Sequence, residues 1–160
     1  MTNCILIKDQ HILTLKKPRR GWCVAPGGKM EPGESIRESV TREFWEETGI
    51  RIKDPGLRSV FTILVEENGE IIDEWMLFTF QATESEGTLL KKSPEGILSW
   101  HPLEMIPELP MAEGDYLIFD QVLKHKKIVY GTFKYTKDYS LLSYRFEVDG
   151  ELKKEYTAGN

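Results

Sequence analysis

One stretch of the chain is committed to helix by its own ends. Ser35 followed by Glu38 forms a capping box, in which serine hydroxyl and glutamate carboxylate each take one of the helix's first free N–H groups. Gly49 suits the left-handed residue just past a helix C-terminus. Between them Ile36, Val40 and Phe44 recur at i, i+4 and i+8 and form a stripe that must be buried. At about 100° per residue, Glu43, Glu46 and Glu47 fall within an arc of about 100° beside that stripe. Three carboxylates therefore crowd a partly buried face near the helix C-terminus, where the macrodipole disfavours anions. Glu43 and Glu47, one turn apart, also repel each other. A solvated acidic face explains this arrangement poorly. A bound divalent cation explains it well, because several carboxylates, water and a substrate phosphate make up the oxygen shell that Mg²⁺ or Mn²⁺ accepts.

The remaining sequence reads as strands around this helix. Asn3 to Leu15 gives two short strands joined at Lys8-Asp9-Gln10. Leu57 to Glu66 alternates apolar and polar residues, Asn68-Gly69 signals a tight turn, and Ile71 to Ala82 returns. Ile97 to Trp100 is a further strand. Asp115 is expected to cap a helix to about Lys126, with Leu117, Ile118, Val122 and Leu123 as its buried stripe. Ile128 to Val148 reads as an aromatic hairpin, and the last dozen residues as frayed. Strands and helices mix without strict βαβ alternation, which indicates an α+β fold or helix–sheet–helix sandwich. A length of 160 residues fits a single domain over 1–160, with a core at about 3–125 and the hairpin as an extension at about 128–148.

Charge and termini narrow the function classes. A net charge of −5 leaves no global basic field for nucleic acid or anionic membrane. No segment approaches a membrane span and the N-terminus has no signal-peptide pattern, so no membrane partner is expected and cytoplasm is the expected compartment. Cys4 and Cys23 lack metal or disulfide spacing and read as buried thiols.

The pattern Gly28-x5-Glu34-x7-Arg42-Glu43-Phe44-x-Glu46-Glu47-x-Gly49-Ile50 resembles the Nudix box at every fixed position. Around it, from about Asn3 to His125, the chain resembles MutT-like Nudix hydrolases, including the Trp22…Pro26-Gly27-Gly28 lead-in. This resemblance implies the Nudix α/β/α sandwich with a mixed sheet, to which the C-terminal hairpin is added. It also implies that Glu43, Glu46 and Glu47 are metal ligands, with one helix glutamate, Glu46 among them, also orienting water. The Gly27 carbonyl would complete the inner shell, since glycine lets backbone approach an ion closely. Glu34 and Arg42 resemble the family's orienting pair, a charge-assisted bridge between loop and helix. Trp45 falls on the opposite side of the helix and is expected to pack under the tail or another loop.

The implied reaction is hydrolysis of a diphosphate linkage, for which Mg²⁺, or Mn²⁺ in its place, neutralises charge and activates water. A base must take the proton. Glu95, five residues before Trp100, stands at a spacing resembling that in animal oxidised-purine nucleotide hydrolases; Ser93-Pro94-Glu95-Gly96 also reads as a plain polar turn. Lys16, Lys17, Arg19 and Arg20, on the loop leading to Trp22, are placed to hold a polyphosphate. Asn3 and Trp75 could face a base pocket or serve packing. In relatives that choose oxidised guanine, a tryptophan and an aspartate pair stand at a position resembling Met111 to Gly114; here Glu113 alone offers a carboxylate. A non-catalytic nucleotide-binding module would typically have lost box glutamates, and this chain keeps them all. The expectation is an enzyme cleaving a nucleoside triphosphate, an oxidised purine such as 8-oxo-dGTP first, to monophosphate and pyrophosphate. The alternative is the 5′-triphosphate end of RNA, suggested by a resemblance to RNA pyrophosphohydrolases of Gram-positive bacteria and by the tail aromatics with Lys134 and Arg145. ADP-ribose ranks behind both.

Overall fold

The computed structural model describes residues 1–148 and 150–159. In chain order the elements are β1 (Thr2–Lys8), β2 (His11–Lys16), β3 (Cys23–Val24), β4 (Gly27–Gly28), α1 (Ile36–Thr48), β5 (Ile50–Lys53), β6 (Gly56–Glu67), β7 (Glu70–Ala82), β8 (Glu84–Gly87) and β9 (Ile97–Pro102). A 3₁₀ turn (Leu103–Glu108), α2 (Glu113–Lys124), β10 (Val129–Thr136), β11 (Leu141–Val148) and β12 (Glu151–Thr157) follow. The chain divides into two compact units, Met1–Leu57 with Thr79–Met111 and Arg58–Phe78 with Ala112–Asn160.

The first unit is built on the β1–β2 hairpin. Asp9 and Gln10 carry φ of 50° and 63°, the pair of positive values that lets a two-residue turn follow the natural strand twist. β9 runs antiparallel to β2 from Lys16 opposite Ile97 to His11 opposite Pro102, and β3 pairs with β2 through Leu15 and Lys16. β4 lies antiparallel to β1, placing Asn3 across from Gly27. β5 and β8 form a separate two-stranded ladder. The alternation Ile50-Arg51-Ile52-Lys53, buried then exposed, is a strand signal immediately after the helix end. α1 packs on β1, β4 and β5. Val40 and Phe44 are fully buried beneath it with Cys4, Ile5 and Leu6 of β1, while Ile36 is only half-buried at the first turn. Both cysteines are free and buried, as expected, and burial raises the Cys4 thiol pKa.

The capping box forms as the sequence requires. Ser35 Oγ accepts from the Glu38 N–H, Glu38 Oε1 accepts from the Ser35 N–H, and Gly49 sits at φ 80°. A buried contact of 3.1 Å between Thr2 Oγ1 and Ser39 Oγ ties the helix to β1.

The second unit contains a mixed sheet. β6 buries Ser59, Phe61, Ile63 and Val65 on alternate positions. It pairs in parallel with β10, from Ser59 opposite Val129 to Glu66 opposite Thr136, and β11 and β12 continue antiparallel. A parallel neighbour needs a long crossover, and α2 is part of it. Asn68 and Gly69, at φ 53° and 82°, make the expected β6–β7 turn. The tail aromatics serve mainly as core: the Phe61 and Phe133 rings stack with centroids 4.7 Å apart, and Phe146 is buried.

Three expectations are corrected here. The chain after Val148 is not wholly frayed, because Glu151–Thr157 forms β12 against β11. All seven of its residues are exposed, so no burial pattern announces the strand; backbone pairing to β11 recruits it, with the Tyr156 ring stacked on Tyr144 at 5.6 Å. Helix α2 starts earlier than Asp115, at Ala112, with no side-chain cap. The Gly114 N–H instead donates to Tyr135 Oη at 3.0 Å, and Arg58 donates to the Val122 and His125 carbonyls at the other end. Its buried residues are Gly114, Ile118, Phe119, Gln121 and Val122, while Leu117 is half-buried and Leu123 exposed. Beginning the helix on Glu113 rotates the face assigned to the core.

Candidate active site

The site grows from two glycines. β4 lies so close to β1 that a Cβ on Gly27 would run into the Thr2 carbonyl oxygen and the Asn3 Cα. A Cβ on Gly28 would strike the carboxylate of Glu43. Only glycine permits both approaches. The Gly27 N–H donates to Glu47 Oε2 at 3.2 Å, so loop and helix meet at that carboxylate. Across the ladder, Asn3 Oδ1 is buried without a hydrogen-bond partner among the described residues, a polar orphan beside the same loop.

Arg42 organises the acids. Its Nε and one terminal nitrogen donate to the two oxygens of Glu34 at 2.6 and 2.9 Å, and the latter nitrogen also donates to the Lys29 carbonyl. Its other terminal nitrogen reaches Glu43 Oε1 at 2.9 Å and Glu46 Oε2 at 3.2 Å, with Glu31 at 3.6 Å. These bonds from Arg42, joined by one from the Glu31 N–H, hold the Glu34 carboxyl down at about 2. Arg42 is raised in turn, above all by Glu34.

The three helix glutamates differ in setting. Glu47 is 6% exposed, the Glu43 side chain 18% and the Glu46 side chain 48%. Burial pushes the Glu47 carboxyl up to about 7; Lys17 and the Gly27 N–H oppose the rise, and the charges of Glu43 and Glu95 add to it. Those influences place Lys17 and Glu95 within electrostatic reach of the helix acids. Lys17 Nζ lies 3.5 Å from Glu95 Oε2. The loop carrying Glu95 is pinned by a Ser93–Gly96 bridge, by Ser93 Oγ accepting the Glu95 N–H, and by Gly96 packed against the Lys16 carbonyl.

The donor chemistry fits a divalent cation. Anionic oxygens gather beside a glycine loop and one of them is costly to ionise without a partner. Among the described residues no three such groups yet share one point, since Arg42 draws Glu43 and Glu46 to itself and Glu47 holds the Gly27 amide.

The NUDIX domain family model matches residues 2–122 of the chain. This chain is a Nudix hydrolase. It is of the MutT type, and hydrolases of this family generally use a divalent metal such as Mg²⁺. The Nudix hydrolase is 51% identical over 147 residues to the uncharacterized Nudix hydrolase YvcI of Bacillus subtilis, covering 92% of this chain and 93% of that one. It is 33% identical over 155 residues to an oxidized purine nucleoside triphosphate hydrolase of Mus musculus, covering 92% and 94%. Among solved structures it is similar to the mutator MutT protein from Bacillus halodurans, with a TM-score of 0.89 and 57% identity over 94% of this chain and 97% of that one.

Of the residues singled out from sequence, Gly27, Glu34, Arg42, Glu43, Glu46 and Glu47 come together on the loop and α1, with Lys17 and Glu95 beside them and Asn3 opposite Gly27. Lys16, Arg19 and Arg20 are exposed, and Arg20 lies over the Trp22 ring at 5.1 Å. Trp75, half-buried on β7, and Glu113, exposed in the first turn of α2, both belong to the second unit. Trp45 is corrected: it is 43% exposed on α1, with the Arg51 guanidinium 4.6 Å from its ring. Sequence reasoning missed the parts of Glu31 and Lys29: the Glu31 carboxylate and the Lys29 carbonyl hold Arg42, and the Glu31 N–H donates to its partner Glu34; backbone groups leave no trace in residue type.

Proposed function

We propose that this Nudix hydrolase cleaves a nucleoside triphosphate to the monophosphate and pyrophosphate, with an oxidised purine nucleotide such as 8-oxo-dGTP as its substrate. The observation that carries this reading is that the Lys17–Glu95 pair lies within electrostatic reach of Glu47 on the Glu43–Glu46–Glu47 helix face. The likeness over nearly the full length to the mouse oxidized purine nucleoside triphosphate hydrolase supports the base preference.

Glu43, Glu46 and Glu47, with the Gly27 carbonyl, would hold Mg²⁺ or Mn²⁺, which supplies neutralisation of the diphosphate and a lowered pKa for water. Glu34 keeps Arg42 in place, so that Arg42 can steer Glu43 and Glu46 without leaving the loop. Glu95 takes the proton as the water oxygen bonds to one phosphorus of the α–β linkage and the bridging P–O bond breaks, the electron pair leaving on the bridging oxygen with the departing phosphate group. Lys17, which pairs with Glu95, turns its charge to the polyphosphate with Lys16, Arg19 and Arg20 along the same loop.

The test is turnover of 8-oxo-dGTP, dGTP, ADP-ribose and an RNA with a 5′-triphosphate, at equal concentrations, with Mg²⁺ and with chelator. Metal–phosphate contacts are common to all four, so selectivity reports contacts to the base and chain. Fastest turnover of 8-oxo-dGTP, abolished by chelation, is expected. Preference for ADP-ribose, or turnover in chelator, overturns the reading; preference for RNA moves the substrate to the 5′ end.

A further inference from the structure

Arg42 has more acceptors around it than N–H groups to give them. A guanidinium offers five N–H donors. One runs from Nε to Glu34 Oε2 at 2.6 Å, and one terminal nitrogen gives its pair to Glu34 Oε1 at 2.9 Å and the Lys29 carbonyl at 3.1 Å. The other terminal nitrogen gives its pair to Glu43 Oε1 at 2.9 Å and Glu46 Oε2 at 3.2 Å. Glu31 Oε1 stands 3.6 Å from that same nitrogen, inside ion-pair range and beyond hydrogen-bond distance. The Glu31 carboxylate has no other partner among the described residues.

The backbone of Glu31 aims it at Arg42. Its carbonyl accepts the Glu34 N–H at 3.2 Å across Pro32 and Gly33. Gly33 sits at φ 87°, the left-handed third position that a type II turn requires. The Glu31 N–H donates to Glu34 Oε1 at 2.7 Å, and that carboxylate is the one clamped by Arg42. The turn is therefore fixed to the guanidinium, while the Glu31 side chain, 63% exposed, has room to close the remaining gap.

Two demands compete for Glu43 and Glu46. Arg42 holds both, and the proposed metal role turns both to a common point with Glu47. Glu46 has the longer bond to Arg42 and the more exposed side chain, 48% against 18%, so it leaves the guanidinium more readily. Its departure strands one N–H on an Arg42 side chain that is only 21% exposed, where an unmet charged donor is costly. We infer, resting on the metal-ligand reading of the helix glutamates, that Glu31 is a positioning residue for the metal site. It takes the Arg42 N–H that Glu46 gives up, and so lowers the cost of turning Glu46 towards the ion.

The experiment measures binding of Mn²⁺ alone to the full chain, by loss of the free ion's electron paramagnetic resonance signal, so that neither substrate nor turnover enters. Glu31→Ala, which retains the N–H and carbonyl of the turn, should weaken Mn²⁺ affinity about two- to fivefold, the range of one partly exposed ion pair. Glu31→Gln keeps an acceptor oxygen without the charge and should fall between Glu31→Ala and the parent. In chelator the urea midpoint of Glu31→Ala should equal the parent's, because a pair at 3.6 Å contributes little before Glu46 leaves. Glu31 also adds to the general negative field of the site, and two comparisons remove that part. Glu38→Gln takes one exposed charge from the first turn of α1 and keeps the capping box, and should leave Mn²⁺ affinity within about 1.5-fold of the parent's. In an Arg42→Lys background, which keeps the charge and loses the second terminal nitrogen, Glu31→Ala should have little further effect. Unchanged Mn²⁺ affinity in Glu31→Ala, an equal loss in Glu38→Gln, the full loss retained beside Arg42→Lys, or a lower urea midpoint in chelator would overturn the role of Glu31 and leave the metal site standing. A parent that binds no Mn²⁺ would overturn the metal-ligand reading, and the role of Glu31 with it.

Discussion

Replacing Glu47 by glutamine separates the contribution of this residue to chemistry from its cost to the fold. Its carboxyl sits at about 7 in the folded protein against an ordinary 4.5, first because it is buried. An acid that binds its proton more tightly when folded leaves the fold unpenalised below about 4.5 and weakens it as pH rises through 7. That gap is worth about 3 kcal/mol at 1.36 kcal/mol per pH unit. Glutamine keeps an oxygen for the Gly27 N–H and carries no charge to desolvate. In chelator, urea unfolding followed by circular dichroism should therefore give Glu47→Gln nearly the parent's stability at pH 5, and up to about 3 kcal/mol more at pH 8.5. With Mg²⁺ at pH 8.5 the same variant should lose turnover by orders of magnitude, because one anionic ligand is gone. A variant less stable than the parent at pH 8.5, or a difference that ignores pH, would refute the burial argument. Full turnover would refute the metal-site assignment.

Two further predictions probe the scaffold of each unit. Phe44→Ala should open a cavity under α1 and cost about 3–5 kcal/mol, whereas Glu46→Gln, at a half-exposed position, should leave the melting temperature nearly unchanged and cut turnover; equal unfolding of both would show the helix faces misassigned. Tyr135→Phe removes the oxygen that accepts the Gly114 N–H at the start of α2 and should cost about 1–3 kcal/mol in urea unfolding, with nucleotide turnover by the folded protein retained. A stability equal to the parent's would mean that water replaces the tyrosine.

The helix carrying the site was readable because each of its determinants is local. A capping box needs only Ser35 and Glu38 three residues apart, and Gly49 needs only its own positive φ. Two hairpin turns were readable for the same reason, at Asp9-Gln10 and Asn68-Gly69. The assembly of Glu34, Arg42 and the helix glutamates followed from motif spacing, because residues eight or fewer apart on a capped helix and its lead-in loop have few places to go.

What sequence could not settle are matters of partners distant in the chain. β12 exists because β11 offers a ladder, not because Glu151–Thr157 has an apolar face. Helix α2 begins at Glu113 because a hydroxyl from Tyr135, 21 residues away, receives its N-terminal amide, so a search for a local cap stops at the wrong residue. Trp45 looked like a packing residue by type, yet it stands 43% exposed beside Arg51 of β5. The Glu47 carboxyl is raised by burial first, with the charge of Lys17 opposing the rise and that of Glu95 adding to it, and these two side chains come from loops 30 and 48 residues away in either direction. Residue type and spacing set which groups the site has; only the folded chain, by excluding water from some of them and leaving others exposed, decides how strongly each holds its charge.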